Sequence, residues 1–491
     1  MHLLGFKSLP RVYRIRRVIS TIVCMASALL LAGCVVGREK PDAALDIPDA
    51  YRTPVRNPDA ALPTPDWWRG FRSRELTTLV EESLTSNLDI AAAVARIVQA
   101  DAQARIAGAA LLPTVQLDAD YNRARSSRTT GSSSGPTGGD STRTLYSTSL
   151  SASYEIDFWG KNRAALLAAE NAVVASRFDR EVVALATVVS VATAYFQVAA
   201  AQERLRVARD NLAAAERVLG VIRDRFSVGT ASALDVAQQE SLVAVQRAVI
   251  PPLVQTLRQN TAVLALLIGR PPARVTIGSA NLWQLAIPIV TPGLPSDLLT
   301  RRPDVREAEA QLAAANANVE AARAAFFPRI QLTGQGGYQS ALLRTLVRPE
   351  STFFSLAAGL TQPIFDGALL QGQFDLQHGR QDELLQNYRR AVINAFTDVE
   401  RALVAVQQTA QQERLQREAV SSSRRAFAIA EQRLREGTVD LVTVLQTQQA
   451  LFQALDNLAQ VRLARLLAVL SLFQALGGGW SPPGVEPQDY R

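Results

Sequence analysis

The sequence predicts an α+β fold made of one unit used twice, and three observations predict it. The chain repeats the order of its punctuation. Ala110-Leu111-Leu112-Pro113 answers to Ala325-Phe326-Phe327-Pro328, Phe158-Trp159-Gly160 to Phe365-Asp366-Gly367, Gln202-Glu203-Arg204-Leu205 to Gln412-Glu413-Arg414-Leu415, and Gly229-Thr230 to Gly437-Thr438. The offsets are 215, 207, 210 and 208 residues, a drift small enough for a duplicated supersecondary module. Each copy also opens on paired segments of period two and continues into a long proline-free run of helical composition.

The chain begins with a targeting pattern. Arg11, Arg14, Arg16 and Arg17 precede an apolar run from Val18 to Leu31, too short for a comfortable membrane span, which closes on Leu31-Ala32-Gly33-Cys34. This tetrapeptide fits a bacterial lipobox, so residues 1–33 read as a lipoprotein signal peptide and Cys34 as the acylated first residue of the mature chain. An ordinary signal peptide with a chance cysteine is the alternative. It is the weaker one, because Cys24 lies in the discarded segment and Cys34 has no disulfide partner. Val35, rather than Asp, follows Cys34, as in lipoproteins released to the outer membrane.

Processing changes the charge balance. Residues 1–33 carry Lys7 and four arginines, so the formal net charge falls from +7 to +2, with 47 basic against 45 acidic residues. The high pI is therefore a property of the leader and no footprint for nucleic acid. His378 is the one histidine left, and no nucleophile, base or metal-ligand constellation is present in the sequence. The expectation is a protein that is no enzyme and carries no cofactor or metal, only the diacylglyceryl lipid on Cys34.

A Pro-rich tether follows over 34–66. The first repeat, 67–269, reads as a helical segment from Phe71 to Ala109, strands at 113–125 and 144–158, a long helix at 161–226 and a return helix at 234–268. A Pro/Gly-rich insert fills 270–295. The second repeat, 296–477, has a helical segment to Phe327, strands at 329–340 and 352–365, a long helix at 372–436 and a return helix at 439–476, before a tail at 478–491. Pro251-Pro252 predicts a kink or early stop in the first return helix.

In the strands, Thr114, Gln116, Asp118 and Asp120 alternate with Val115, Leu117, Ala119 and Tyr121, and Ser151, Ser153 and Glu155 with Leu150, Ala152, Tyr154 and Ile156. Strands of ten or more residues with one polar and one apolar face have the length and pattern of membrane β-strands. Amphipathic hairpins on a soluble core are the other reading of the periodicity. Two proline-free helices near 66 residues argue against it, since each is about 100 Å long at 1.5 Å per residue. Four strands do not close a barrel, and lipid tolerates no open edge. The chain must therefore oligomerise if the strands span a membrane; three copies give twelve strands and a lumen.

Several motifs then carry a resemblance: Leu31-Ala32-Gly33-Cys34, Trp67-Trp68 with Phe71 and Leu76, Leu112-Pro113, Tyr154-Glu155-Ile156-Asp157-Phe158-Trp159-Gly160, Arg225-Phe226-Ser227-Val228-Gly229-Thr230, and above all Leu294-Pro295-Ser296-Asp297-Leu298-Leu299 with Arg301-Arg302-Pro303-Asp304-Val305-Arg306. Together they span nearly the whole mature chain. The sequence resembles the TolC-like outer-membrane efflux factors, in the acylated branch that serves resistance-nodulation-division pumps. The resemblance implies a homotrimer in the Gram-negative outer membrane, with a twelve-stranded β-barrel, a periplasmic α-helical coiled-coil barrel and an equatorial domain. It implies an exit duct for drugs or other small solutes, joined to a periplasmic adaptor and an inner-membrane pump. A duct for type I protein secretion and a non-transport coiled-coil lipoprotein are the alternatives.

The resemblance also implies site residues. Val228, Gly229, Thr230, Gly437 and Thr438 are the helix tips that an adaptor would dock. Phe427 and Glu431, one turn apart near the second tip, match positions that form constricting rings; pairing of Glu431 with Arg435, and Phe427 as plain coiled-coil core, are the competing readings. Arg301, Arg302, Pro303, Asp304 and Arg306 read as a structural motif of the equatorial belt, with Pro303 and Asp304 in the first turn of a helix.

Overall fold

The computed structural model describes residues 43–480 apart from 46, 49, 53–62, 126–141 and 279. The expected signal peptide, Cys34 and most of the tether and tail lie outside the described residues. The elements run α1 (Arg74–Ser86), α2 (Leu88–Ala109), β1 (Thr114–Arg125), β2 (Thr142–Ile156), α3 (Lys161–Ser227), α4 (Ala233–Leu267), α5 (Pro303–Ala324), β3 (Arg329–Ser340), β4 (Thr352–Thr361), α6 (Leu369–Arg435) and α7 (Leu441–Ala475). They fall into two compact units, one made of 102–170 and 313–385, the other of 44–101, 171–312 and the chain from 386 onward.

The first unit holds one antiparallel sheet in the order β1-β2-β3-β4. β4 stops at Thr361, short of the expected 365, because Pro363 has no N–H to give to a ladder. The two longest helices, α3 and α6, each span 67 residues. The return helices α4 and α7 each span 35.

In the second unit the largest core gathers Trp67, Phe71, Leu76, Phe196, Leu264, Leu466 and Phe473, with the Trp67 and Phe473 rings stacked at 4.8 Å. α4 runs unbroken through Pro251 and Pro252, so no early stop occurs. Both prolines are exposed, where water can take the carbonyls they leave free, while Leu253 is buried with Leu205 and Ala208 of α3. The expected helix from Phe71 to Ala109 is instead two helices, divided at Asn87. That residue is extended, and its Oδ1 caps α2 by accepting from Asp89 and Ile90 N–H at 2.9 and 3.1 Å.

Duplication shows most clearly at the joints. Gly229, Gly269, Gly437 and Gly477 end the four hairpin helices at positive φ, each with paired backbone bonds that satisfy the last carbonyls, as in Thr438 N–H to Arg433 O and Gly437 N–H to Leu434 O. Asn87 donates through Nδ2 to Leu267 O at 2.8 Å. Arg302, 215 positions on, donates through Nη1 to Ala475 O at 3.2 Å, the equivalent carbonyl of α7. Backbone packs closely at these joints: a Cβ on Gly477 would sit 2.2 Å from Arg301 O, and one on Gly269 would sit 2.5 Å from Ser86 O. Gly437 has the same sign of φ but nothing within 4 Å. Gly437→Ala should therefore cost only about 1 kcal/mol of backbone strain. Gly477→Ala adds a backbone clash and should lose clearly more, read as a lower melting temperature of the purified protein; equal losses would refute the packing argument.

Candidate functional site

The sheet sorts its side chains by chemistry. The ladder aligns Gln116, Ser151, Gln335 and Ser355 on one face, and Thr114, Ser153 and Thr333 beside them. Side-chain bonds cross the strands on this face: Ser151 Oγ to Asp118 Oδ2 at 3.1 Å, Gln331 Nε2 to Ser153 Oγ at 2.9 Å and Gln335 Nε2 to Ser149 Oγ at 2.9 Å. The opposite face aligns Leu117 with Leu150, Tyr154 with Leu332 and Ile330 with Leu360. Leu117, Phe354 and Leu356 stand 75%, 84% and 82% exposed there. Among the described residues, β1 and β4 each pair on one side only. A sheet with one wet face, one largely apolar face and two open edges is complete only when its edges meet further strands and its apolar face meets lipid.

The tips belong to the other unit. α3 turns into α4 through Val228, Gly229 and Thr230, and Val228 is 73% exposed. Ser232 and Asp235 form a reciprocal capping box that starts α4, while Asp440 caps α7 by accepting from Thr443 N–H at 3.0 Å. Gly437 and Thr438 make the second turn. Arg225 of α3 reaches across to α6 and donates through Nη1 to Leu434 O at 2.7 Å, joining the ends of the two long helices.

Phe427 sits on α6, one turn before Glu431. Its side chain is 9% exposed and packs with Val218, Ile222, Leu434, Leu441 and Val444, in the core formed by α3, α6 and α7. Glu431 pairs with Arg435 at 2.7 Å, one turn along the same helix.

The Arg-Arg-Pro-Asp motif is built into the fold. Arg302 is 8% exposed and grips Asp304 with Nε and Nη2 at 3.0 and 2.7 Å and Asp398 with Nη1 at 3.2 Å. Burial pulls its pKa down, but the hydrogen bond and charge of Asp304, and then Asp398, outweigh it and hold the guanidinium above its ordinary value. Pro303 and Asp304 open α5, and Arg301 sits 4.0 Å from Asp297. Arg306 pairs with Glu309 at 2.6 Å and lies over the Phe178 ring.

Sequence reasoning missed how the insert is held. Glu413 is 1% exposed and is met by Arg417 at 2.5 Å and Arg465 at 2.9 Å. Arg462, 3.4 Å from Glu413, donates to Leu285 O at 2.6 Å. Glu203, the equivalent residue of the first repeat, accepts from Trp283 Nε1 at 2.8 Å. Both repeat glutamates thus address the same turn of the insert. Burial raises the Glu413 pKa, but the Arg465 hydrogen bond and the Arg462 charge overturn this and lower it. The signal was visible as the paired Gln-Glu-Arg-Leu motifs, whose partners were not.

These features define the class: a channel-forming protein of the Gram-negative outer membrane, with strands for the bilayer and long paired helices. The chain belongs to the outer membrane efflux protein family, which it matches twice, over residues 79–270 and again over 294–478. It is 40% identical over 457 residues to the pyoverdine export outer membrane protein OpmQ of Pseudomonas aeruginosa, covering 93% of this chain and 96% of that protein. It is 30% identical over 460 residues to the cation efflux system protein CusC of Escherichia coli, covering 92% and 97%. A crystal structure of a membrane protein from Pseudomonas aeruginosa superposes with a TM-score of 0.81 at 30% identity, over 89% of this chain and 98% of that one.

One group in this unit titrates unusually. Glu307 of α5 is raised from 4.5 to about 7, first by burial and then by the charges of Asp179 and Asp304, against Arg96. A carboxyl raised on folding stabilises the fold below its unfolded value and loses that contribution as pH rises through the folded value. Stability should therefore decline from about pH 5 to about pH 8, and Glu307→Gln should flatten the decline, by on the order of 1 kcal/mol after discounting for partial exposure. Thermal melts across this range, with no difference between the two proteins, would refute it.

Proposed function

We propose that three copies of this chain close a twelve-stranded barrel in the outer membrane and act as the passive exit duct of a tripartite efflux system. The observation that carries the reading is the open four-stranded sheet. Its unpaired edges β1 and β4 flank a continuous apolar face, so neighbouring copies supply the missing hydrogen bonds and lipid covers the rest. The polar face then lines the lumen, where Gln, Ser, Thr and Asp side chains suit water and dissolved solutes. A small-solute duct accords with relatives named for pyoverdine export, toluene efflux and cation efflux. One kind of wall serves unlike cargo when the pump makes the choice. The chain itself performs no chemistry in this reading.

The turns at Val228–Thr230 and Gly437–Thr438 are the surface for a periplasmic adaptor, which in turn meets an inner-membrane resistance-nodulation-division pump. The same tips make the gate. Glu431 contributes its carboxylate to a constricting ring, as three copies around one axis, and the Arg225 bond to Leu434 O holds the ends of α3 and α6 together in the closed form. Cys34 carries the diacylglyceryl and acyl lipid that anchors the chain, through the tether, beside its barrel.

Four measurements test this. Purified trimers in planar bilayers should conduct, and loss of the gene should raise susceptibility to small toxic solutes while protein secretion continues; no conductance, or a secretion defect alone, would refute the duct. Palmitate should label the wild type but not Cys34→Ser. Arg225→Ala removes one charge-assisted bond worth about 1 kcal/mol, so the open fraction should rise roughly fivefold in single-channel records; an unchanged open fraction would remove this bond from the gate.

A further inference from the structure

The loop joining β3 to β4, residues 341–351, is ordered by hydrogen bonds of its own. Its hydroxyls bond within the loop: Ser340 Oγ lies 2.7 Å from Thr345 Oγ1, Thr345 Oγ1 donates to Leu342 O at 3.0 Å, and Ser351 Oγ donates to Thr345 O at 2.8 Å. The N–H groups of Thr345, Leu346, Arg348 and Ser351 each donate to the carbonyl three residues back. The aliphatic side chains face out, with Leu342, Leu343 and Val347 exposed by 51%, 62% and 77%. An ordered loop that bonds its hydroxyls internally and exposes aliphatics beside the charged Arg344, Arg348 and Glu350 suits a border between apolar and aqueous surroundings.

Its position identifies that border. The loop springs from Tyr338, which pairs with Thr352 at its base. Tyr338 shares the apolar face of the sheet with Tyr121 and Tyr146, whose rings are 5.0 Å apart. Aromatic side chains gathered at one level of a membrane strand mark the border between hydrocarbon and headgroup. The helices join the opposite ends of the strands, so this border is the external one. Arg344 and Arg348 are exposed, without an ion-pair partner among the described residues.

We propose that this loop anchors the chain in the outer leaflet: Leu342, Leu343 and Val347 enter the lipid at the headgroup border, and Arg344 and Arg348 hold the phosphates of the phosphorylated glycolipid of that leaflet. Long arginine side chains keep their charge at the headgroup level while their stems stay apolar. The inference rests on the barrel reading above. It adds a second attachment on the external side, chemically unlike the acyl anchor on Cys34.

The test uses full-length trimers carrying pyrene on Val347→Cys or, as a control, on Leu117→Cys in the lipid-facing strand. They are reconstituted in phosphatidylcholine vesicles containing brominated lipid, with or without lipid A. The Leu117 probe should be quenched in both. The Val347 probe should be quenched too, and lipid A should strengthen its quenching. Arg344→Glu with Arg348→Glu should abolish that increment, since two arginines at an anionic surface change partition by roughly tenfold or more. A quenched Leu117 probe beside an unquenched Val347 probe overturns the leaflet anchor alone, and an unquenched Leu117 probe overturns the barrel reading with it. Pyrene excimer emission from position 347 would show the loops meeting one another across the mouth and would also overturn the proposal. A lipid A increment that survives the double substitution overturns the role of the arginines.

Discussion

A backbone hydrogen bond with no partner is the constraint on which the rest of this structure depends. Inside a bilayer each unpaired N–H or C=O costs several kcal/mol, so a strand pair that enters lipid commits its chain to closure. This chain supplies four strands and two open edges. Much else in the sheet is consistent with closure around water: alternation along the strands, hydroxyl and amide bonds across one face, and leucines on the other. The same alternation fixes register, because a slip of one residue would turn every leucine inward.

Stability in the helical unit comes from a different source. Helices as long as α3 and α6 are not held by propensity alone; packing against neighbouring helices holds them, as at Val191 and Phe196 of α3 and Val392 and Val399 of α6. The caps make the turns sharp, and small buried residues such as Ala192, Ala199 and Ala200 let the rods lie close. The insert between the repeats, with little regular structure of its own, is fastened by charge. Arg462 is buried between the Glu413 carboxylate and the Leu285 carbonyl, and its guanidinium lies 6.0 Å from the Trp283 ring centre. Removing one member would leave its neighbour charged and dry, which is why such a cluster acts as a fastener even when its net contribution is small.

Much of this was legible in the sequence, and the reasons differ by element. The strands and long helices declared themselves through periodicity and the absence of proline, and the tips through Gly-Thr. The break at Asn87 was not legible, because an asparagine inside a helical pattern signals a cap only when its partner carbonyl, on Leu267, is known. Of the kink or early stop that Pro251-Pro252 predicts, the early stop does not occur, because tertiary packing of Leu253 outweighs a local breaker. For Phe427 the sequence leaves ring and coiled-coil core both open, because its packing with Val218 and Ile222 of α3 is a long-range contact. A periodic pattern shows which side of a helix is apolar; whether that side meets its own chain or an axis of symmetry is a property of the packed state.

Asn87 and Arg302 hold corresponding joints with different chemistry, one a neutral amide and the other a charged fork. A ring assembled from identical half-chains would be obliged to use one chemistry at every joint, and any substitution would strike all of them at once. Fusing two halves into one polypeptide lifts that obligation. Each joint becomes a separate locus, so one half of the chain is free to change while the other keeps its place.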